Sequence, residues 1–539
     1  MKSKLLRDTI KSSLSVAIGA AFAAGLSGGP PAFGQDETEQ RFGNVHFATS
    51  CNDTAQRRFD RGMRYQHSFW YRQSKEIFED VVKADPECGI AYWGIALSLL
   101  FNPHAPPPGP NLPLGLAAIQ KGKAVGAKTQ RERDYIDALA VFYTDYDKVP
   151  HAARVQAYLK AMETLAGRYP NDDEAQIFYA ITLNVAASPN DKTYSNQLKG
   201  AAILEPIFKR EPRHPGVAHY LIHLYDTPAL AEKGIEAAKR YSAIAPAAPH
   251  AQHMPSHIFT RVGAWNDSIA SNAESARAAK DGKEIDDQLH AMDYMVYAYL
   301  QLGQDQKAQA VVSEMNAVTG INPDRFVGPY ALAVSPARYV VERGDWKSAA
   351  ELQVRPSKFA YADAMTHFAR ALGAARVGNA GAAKADIAKL AELREKLREA
   401  KDAYWTEQVD IQWQVATAWM LYAEGKSDEA LKAMGAAADA EDKTEKHPVT
   451  PGVPTPAREL YGAMLLERGQ AREAFAAFEA TLRKEPNRLG ATIGAARAAD
   501  KAGDAAKARQ HYAAAVALTE KADLVRPEVA EARAFMAKK

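Results

Sequence analysis

Seven of the chain's 14 histidines lie between His214 and His290, a window of 77 residues out of 539. Their spacing is the chemical signal. His219 and His223 are four residues apart, as are His253 and His257, so each pair falls on one face of a helix. The second pair follows the first by 34 residues, and His290 follows His250 by 40. Asp226 and Asp293 stand about one helical turn after His223 and His290. Imidazoles gathered near carboxylates suit zinc, copper or iron. His219, His223, His253, His257 and His290 are therefore expected to ligate one transition-metal ion. Asp226, Asp293 and His250 are expected in a supporting role, since a ligating imidazole passes its second N–H to a carboxylate or carbonyl. The two aspartates could also ligate directly. Three imidazoles and an open position would support a metal-bound water, hence hydrolysis or oxidation.

A competing reading stands beside this one. A helical histidine is commonly a polar residue hydrogen-bonded to a neighbour, and repeat duplication copies residues without giving them a function. Pro255 lies between His253 and His257 and would bend or start a helix there. Pro249 follows Pro215 by 34 residues, which favours an earlier start and a kink. Arg261 could hold an anionic ligand through its fork of donors or pair with a carboxylate between helices. Tyr220, Tyr225, Tyr294 and Tyr297 read as packing residues. His46, His67 and His104 would reach the same site only if the chain curls back on itself.

Other catalytic signatures are missing: there is no P-loop, no H-E-x-x-H and no paired C-x-x-C. The one G-x-S-x-G string, Gly25 to Gly29, lies in the N-terminal leader with no strand before it.

The elements that must position the histidines are helical. Apolar residues recur at three- and four-residue spacing, interrupted by Gly, Pro, Asp or Asn. A glycine followed five residues later by a small residue recurs as Gly263/Ser268, Gly303/Ala308, Gly344/Ala349, Gly378/Ala383, Gly425/Ala430, Gly469/Ala474 and Gly503/Ala508. In a helical hairpin the glycine ends the first helix with a left-handed residue, and the small residue lets the second helix approach closely. The steps are 40, 41, 34, 47, 44 and 34 residues.

Gly462, Gly469, Ala474, Phe478 and Pro486 match the signature spacing of one family, with Ala508, Tyr512 and Ala515 one repeat later. Near the start, Gly62, Tyr65, Phe78, Pro86, Tyr92, Ile95 and Leu99 match again. The chain resembles the tetratricopeptide repeat family, whose unit of about 34 residues is a pair of helices. The 40–47-residue steps and Ser74 and Ser268 in place of alanine depart from the pattern. The resemblance implies an all-α solenoid of stacked hairpins whose concave groove binds a protein partner, a peptide or a small ligand. Two proline-rich stretches, 102–115 and 446–457, interrupt the array. The expected division is a leader over 1–34, repeats over 35–445, a linker over 446–457 and further repeats over 458–539.

The leader reads as a cleavable signal peptide of an exported bacterial protein. Lys2, Lys4, Arg7 and Lys11 precede an apolar run from Leu14 to Leu26 that is short for a membrane span. A periplasmic or secreted location follows, with no membrane span in the mature chain. In that oxidising setting Cys51 and Cys88, the only cysteines, are expected to form a disulfide; two buried thiols are the alternative. The formal charge is +2, and losing the leader with Asp8 removes a net +3, leaving −1. That balance argues against nucleic acid as a partner. The composition, 47% apolar and 24% charged, excludes a collagen-like or polytopic membrane chain.

Overall fold

The computed structural model describes residues 41–524 and 526–538, so the expected leader lies outside the described residues. Every regular element among the described residues is a helix. Consecutive helices pack against each other in sequence, as hairpins stacked into an all-α solenoid.

The glycine code explains the hairpins. All seven glycines are left-handed, with φ from +63° to +80°. The residue five positions later is fully buried in every case. At Gly469 the chain reverses through Gly469 N–H to Leu466 C=O at 3.2 Å and Gln470 N–H to Leu465 C=O at 2.9 Å. This is the six-to-one closure of a helix ended by a left-handed glycine. The same packing recurs at both ends of the array. A Cβ on Gly94 would lie 2.5 Å from the Phe78 ring, and one on Gly62 would lie 2.9 Å from the same ring. Gly462 and Gly494 flank Phe478 in the same way.

Cys51 and Cys88 are bonded, with Cα atoms 5.1 Å apart. The bridge ties the start of the Asp53–His67 helix to the start of the Gly89–Leu99 helix, 37 residues on. A loop of this size is worth about 4 kcal/mol through the unfolded state. Replacing both cysteines with alanine is therefore expected to lower chemical-denaturation stability by about 3–4 kcal/mol.

The array curls back on itself. Trp265 Nε1 donates to the Asn487 carbonyl at 2.8 Å, and Leu489 N–H to Gln301 Oε1 at 2.9 Å. Arg488, fully buried, pairs with Glu342 and Glu459, and Arg526 pairs with Asp305. Residues 446–457, expected as a linker, run inside this closure. Lys446 reaches Asp226, the Val449 carbonyl accepts from Tyr294, and the Gly452 carbonyl accepts from Arg338. The segment bridges repeats distant in sequence, and the described residues fall within one compact unit. No helix among the described residues is long and apolar enough to cross a membrane.

Beside this segment, burial pushes the Glu441 carboxyl up to about 7, against a nearby Lys484 that lowers it. Its Oε2 accepts from the Ala457 N–H at 2.6 Å. The folded chain thus holds a proton there that an unfolded glutamate releases near pH 4.5. The contribution of this one group to stability falls as pH rises from about 4.5 to 7, by up to about 1.4 kcal/mol per pH unit. Glu441→Gln keeps the acceptor and removes the titration. It is expected to be more stable than wild type by about 2–3 kcal/mol at pH 8 and equal to it at pH 4.5, measured by urea unfolding.

Candidate metal centre

Four helical segments carry the histidines. Pro215–Tyr225 presents His219 and His223 one turn apart, and its N-cap is His214. Pro249–His253 and Pro255–Arg261 are two pieces of one kinked helix, joined through Met254 in right-handed helical conformation (φ −53°, ψ −36°). Pro255 has no N–H to give the Ala251 carbonyl, which accounts for the kink. The kink does not separate the pair, because His253 Nε2 and His257 Nε2 are 3.0 Å apart. Ile285–Gln301 supplies His290.

The histidines converge as two groups of three. His219 Nε2 lies 3.1 Å from both His223 Nε2 and His250 Nε2. His253, His257 and His290 form the second group. In each, one ring nitrogen per residue lies within 4.8 Å of the others. His250, expected in a supporting role, thus stands among the candidate ligands themselves. The design repeats in register. Each group is an i,i+4 pair from one helix plus a single histidine from the next first helix of the array.

The hydrogen bonds at the other ring nitrogens decide what the groups can do. His219 Nδ1 is 2.7 Å from the His67 carbonyl, which only accepts, so Nδ1 carries the proton and Nε2 a lone pair. In the second group, Asn272 Nδ2 donates to the Ser268 carbonyl at 2.8 Å, so its Oδ1 must accept from His253 Nδ1 at 2.7 Å. Asp226 Oδ2 accepts from His257 Nδ1 at 2.9 Å. Both Nε2 atoms then carry lone pairs, and they face each other at 3.0 Å. The Tyr294 hydroxyl gives its proton to the Val449 carbonyl at 2.9 Å, leaving its oxygen 3.3 Å from His257 Nε2. Lone pairs therefore converge with no proton between them. The separation is that of two imidazoles on one ion, since metal–nitrogen bonds of about 2.0–2.1 Å put neighbouring ligand atoms roughly 3–3.5 Å apart.

Protonation could also relieve the contact, but the surroundings oppose it. Burial and the neighbouring imidazoles push His223, His250, His253 and His290 well below the ordinary histidine value, and His219 to about 3. Burial also lowers His257, although Asp226 pulls it the other way. The rings are neutral at pH 7, as metal ligation requires.

Asp226, beyond the end of the Pro215–Tyr225 helix, is the electrostatic hub. It binds His257 Nδ1, Arg261 Nε at 2.9 Å and Lys446 Nζ at 2.6 Å, all buried. Burial alone would raise its carboxyl, but Lys446, Arg261 and His257 hold it well below the usual range. Arg261 is therefore committed to Asp226 and is not a free anion-binding fork. Asp293 serves neither group: it pairs with Arg338 and accepts from Ser335.

Both proline-rich stretches close over the site. His104, from the first, lies with its ring 4.4 Å from that of His223. His447, from the second, packs on Trp405. Phe69, in left-handed backbone with φ +55°, covers the first group, its ring 4.3 Å from His219 and 5.1 Å from His250. His46 pairs instead with Asp60 at the surface.

A third group, His67, Glu174 and His214, looks similar but is closed. His214 Nδ1 accepts from the Val217 N–H at 3.3 Å, so Nε2 donates to Glu174 at 3.0 Å. His67 Nε2 donates to the other Glu174 oxygen at 2.9 Å, and Nδ1 accepts from the Tyr220 hydroxyl at 3.1 Å. Every polar atom named has a proton-matched partner, and none is left to bind an ion. This triad fastens the Pro215–Tyr225 helix to the first repeat.

No protein-family model and no curated protein sequence matches the chain. Among solved structures it is similar to the human IFIT1 dimer with m7Gppp-AAAA, at 13% identity and a TM-score of 0.37, over 89% of this chain and 98% of that one. The Cut9–Hcn1 hetero-tetramer of APC/C gives 10% and 0.29, over 90% and 95%. Naa15/Naa10 bound to HypK gives 12% and 0.23, over 90% and 78%. These neighbours are helical-repeat proteins of the tetratricopeptide type.

Proposed function

We propose that this is a metal-binding helical-repeat protein that holds a transition-metal ion in the histidine cluster at the heart of its closed solenoid. The observation that carries the reading is the facing pair of Nε2 lone pairs on His253 and His257, each fixed by a hydrogen bond at Nδ1. An all-imidazole donor set suits zinc or copper. His257 passes its second N–H to Asp226, the outer-sphere arrangement that raises ligand basicity. Three protein ligands leave room for a water or another small ligand on the ion, which is the condition for hydrolytic or oxidative chemistry.

The setting belongs to the same proposal. A bonded Cys51–Cys88 pair supports an oxidising, extracytoplasmic compartment and so an exported chain. A partner- or peptide-binding groove, the usual role in the family the chain resembles, is the second reading, and the solenoid architecture favours it. Around the histidines the inner wall is occupied by the chain's own segments, so such a partner would use other parts of the array. The expectation of no nucleic-acid partner rests on charge balance alone.

The test is metal content after equilibrium dialysis of untagged apo-protein against micromolar zinc or copper, beside His223→Ala/His257→Ala. Retention by wild type and loss in the variant is the expected result. A folded wild type that retains neither metal overturns the reading.

A further inference from the structure

The two histidine groups are neighbours as well as copies. His250 of the first group and His253 of the second sit three residues apart in the kinked helix, with ring centroids 6.1 Å apart. His223 and His257, one from each group, have ring centroids 6.2 Å apart. Each group has three imidazoles of its own, so neither needs to borrow a ligand from the other. We propose that the groups form a single two-ion centre whose ions are bridged by a small anion. This rests on the metal-binding reading above.

Charge requires the bridge. Six neutral imidazoles contribute nothing to balance two divalent ions. The nearby carboxylate, Asp226, is already matched by Arg261 and Lys446. Asp293 is matched by Arg338. Glu174 is engaged by His67 and His214. A buried pair of dications with no carboxylate bridge calls for an anion from solution, because uncompensated charge in a low-dielectric interior is costly. The simplest supply is a water between the ions that gives one proton to bulk and stays as hydroxide; no bond to protein forms or breaks and no electron moves. Ligation lowers the pKa of such a water to near neutrality. The site thus takes small anions that span two ions: hydroxide, or azide offered as a probe.

Copper(II) distinguishes the possibilities, because two ions sharing a bridge couple their spins. Apo-protein would be titrated with copper(II) sulfate at pH 7, and bound copper compared with the integrated electron paramagnetic resonance of frozen samples. Two copper ions per chain are expected, with a signal less than about a tenth of that from two independent ions. His290→Gln and His250→Gln, each breaking one group, are expected to bind one ion less and recover the signal of one uncoupled ion. Azide is expected to change the optical spectrum of wild type and to leave the integrated signal low. Two ions with full signal, or a single ion, would overturn the two-ion inference and leave the metal-binding reading standing. No bound copper in folded wild type would overturn the two-ion inference, and the metal-binding reading falls with it if zinc is not retained either.

Discussion

Asp226→Ala is expected to cost about 3–5 kcal/mol of stability, the loss typical of removing one partner from a buried ion network. The change strands Arg261 and Lys446, both buried, without their shared carboxylate. It also frees His257 Nδ1 from its acceptor, so the tautomer with a lone pair at Nε2 is no longer enforced. Metal affinity is therefore expected to fall about 10–100-fold, as when an outer-sphere partner of a ligating histidine is removed. Asp226→Asn separates the two effects. It retains an acceptor for His257 but no charge, so affinity is expected to hold better than stability does. Urea unfolding of the apo-proteins reads the first effect and competition with a chelator reads the second. Equal stability of Asp226→Ala and wild type would contradict the network described for this residue.

His253→Gln tests the frustrated contact itself, and its expected result has an unusual sign. The glutamine amide can donate a proton toward His257 Nε2, where wild type sets two acceptors face to face. The bond from His253 Nδ1 to Asn272 is lost in exchange. The apo-protein is expected to lose no stability, within about 1 kcal/mol, the net worth of a single hydrogen bond. Its stabilisation by metal is expected to fall to what His219, His223 and His250 alone can supply, one ion rather than two. In wild type, metal at about 1,000 times its dissociation constant adds about 4 kcal/mol. For a chain of this length that is a rise in Tm of about 4 °C. A large loss of apo-protein stability in His253→Gln, with no metal response in wild type, would mean that these rings are packing residues.

Much of this was legible in the sequence. The repeated glycine and small residue locate hairpin turns because only a left-handed glycine and a close helix approach satisfy that turn, and all seven pairs play that part. The 34-residue offset of the two histidine pairs predicted equivalent positions, and the pairs do sit on successive first helices. The grouping was harder to foresee. His250 lies three residues before His253, about one turn earlier on the kinked helix, and there it joins the neighbouring group. Tyr294 read as a packing residue because nothing in its spacing shows that its proton goes to the Val449 carbonyl. The parts played by Lys446, His447 and Phe69 depend on proline-rich and left-handed segments folding inward. Such contacts span up to 220 residues and leave no local periodicity to read.

The most direct measurement is anomalous diffraction from crystals of wild-type protein equilibrated with zinc, at wavelengths on either side of the zinc edge. Zinc bonded to the ring nitrogens of His253, His257 and His290, and of His219, His223 and His250, is the expected result. Well-ordered crystals with these rings in place and no zinc at either group would contradict the account.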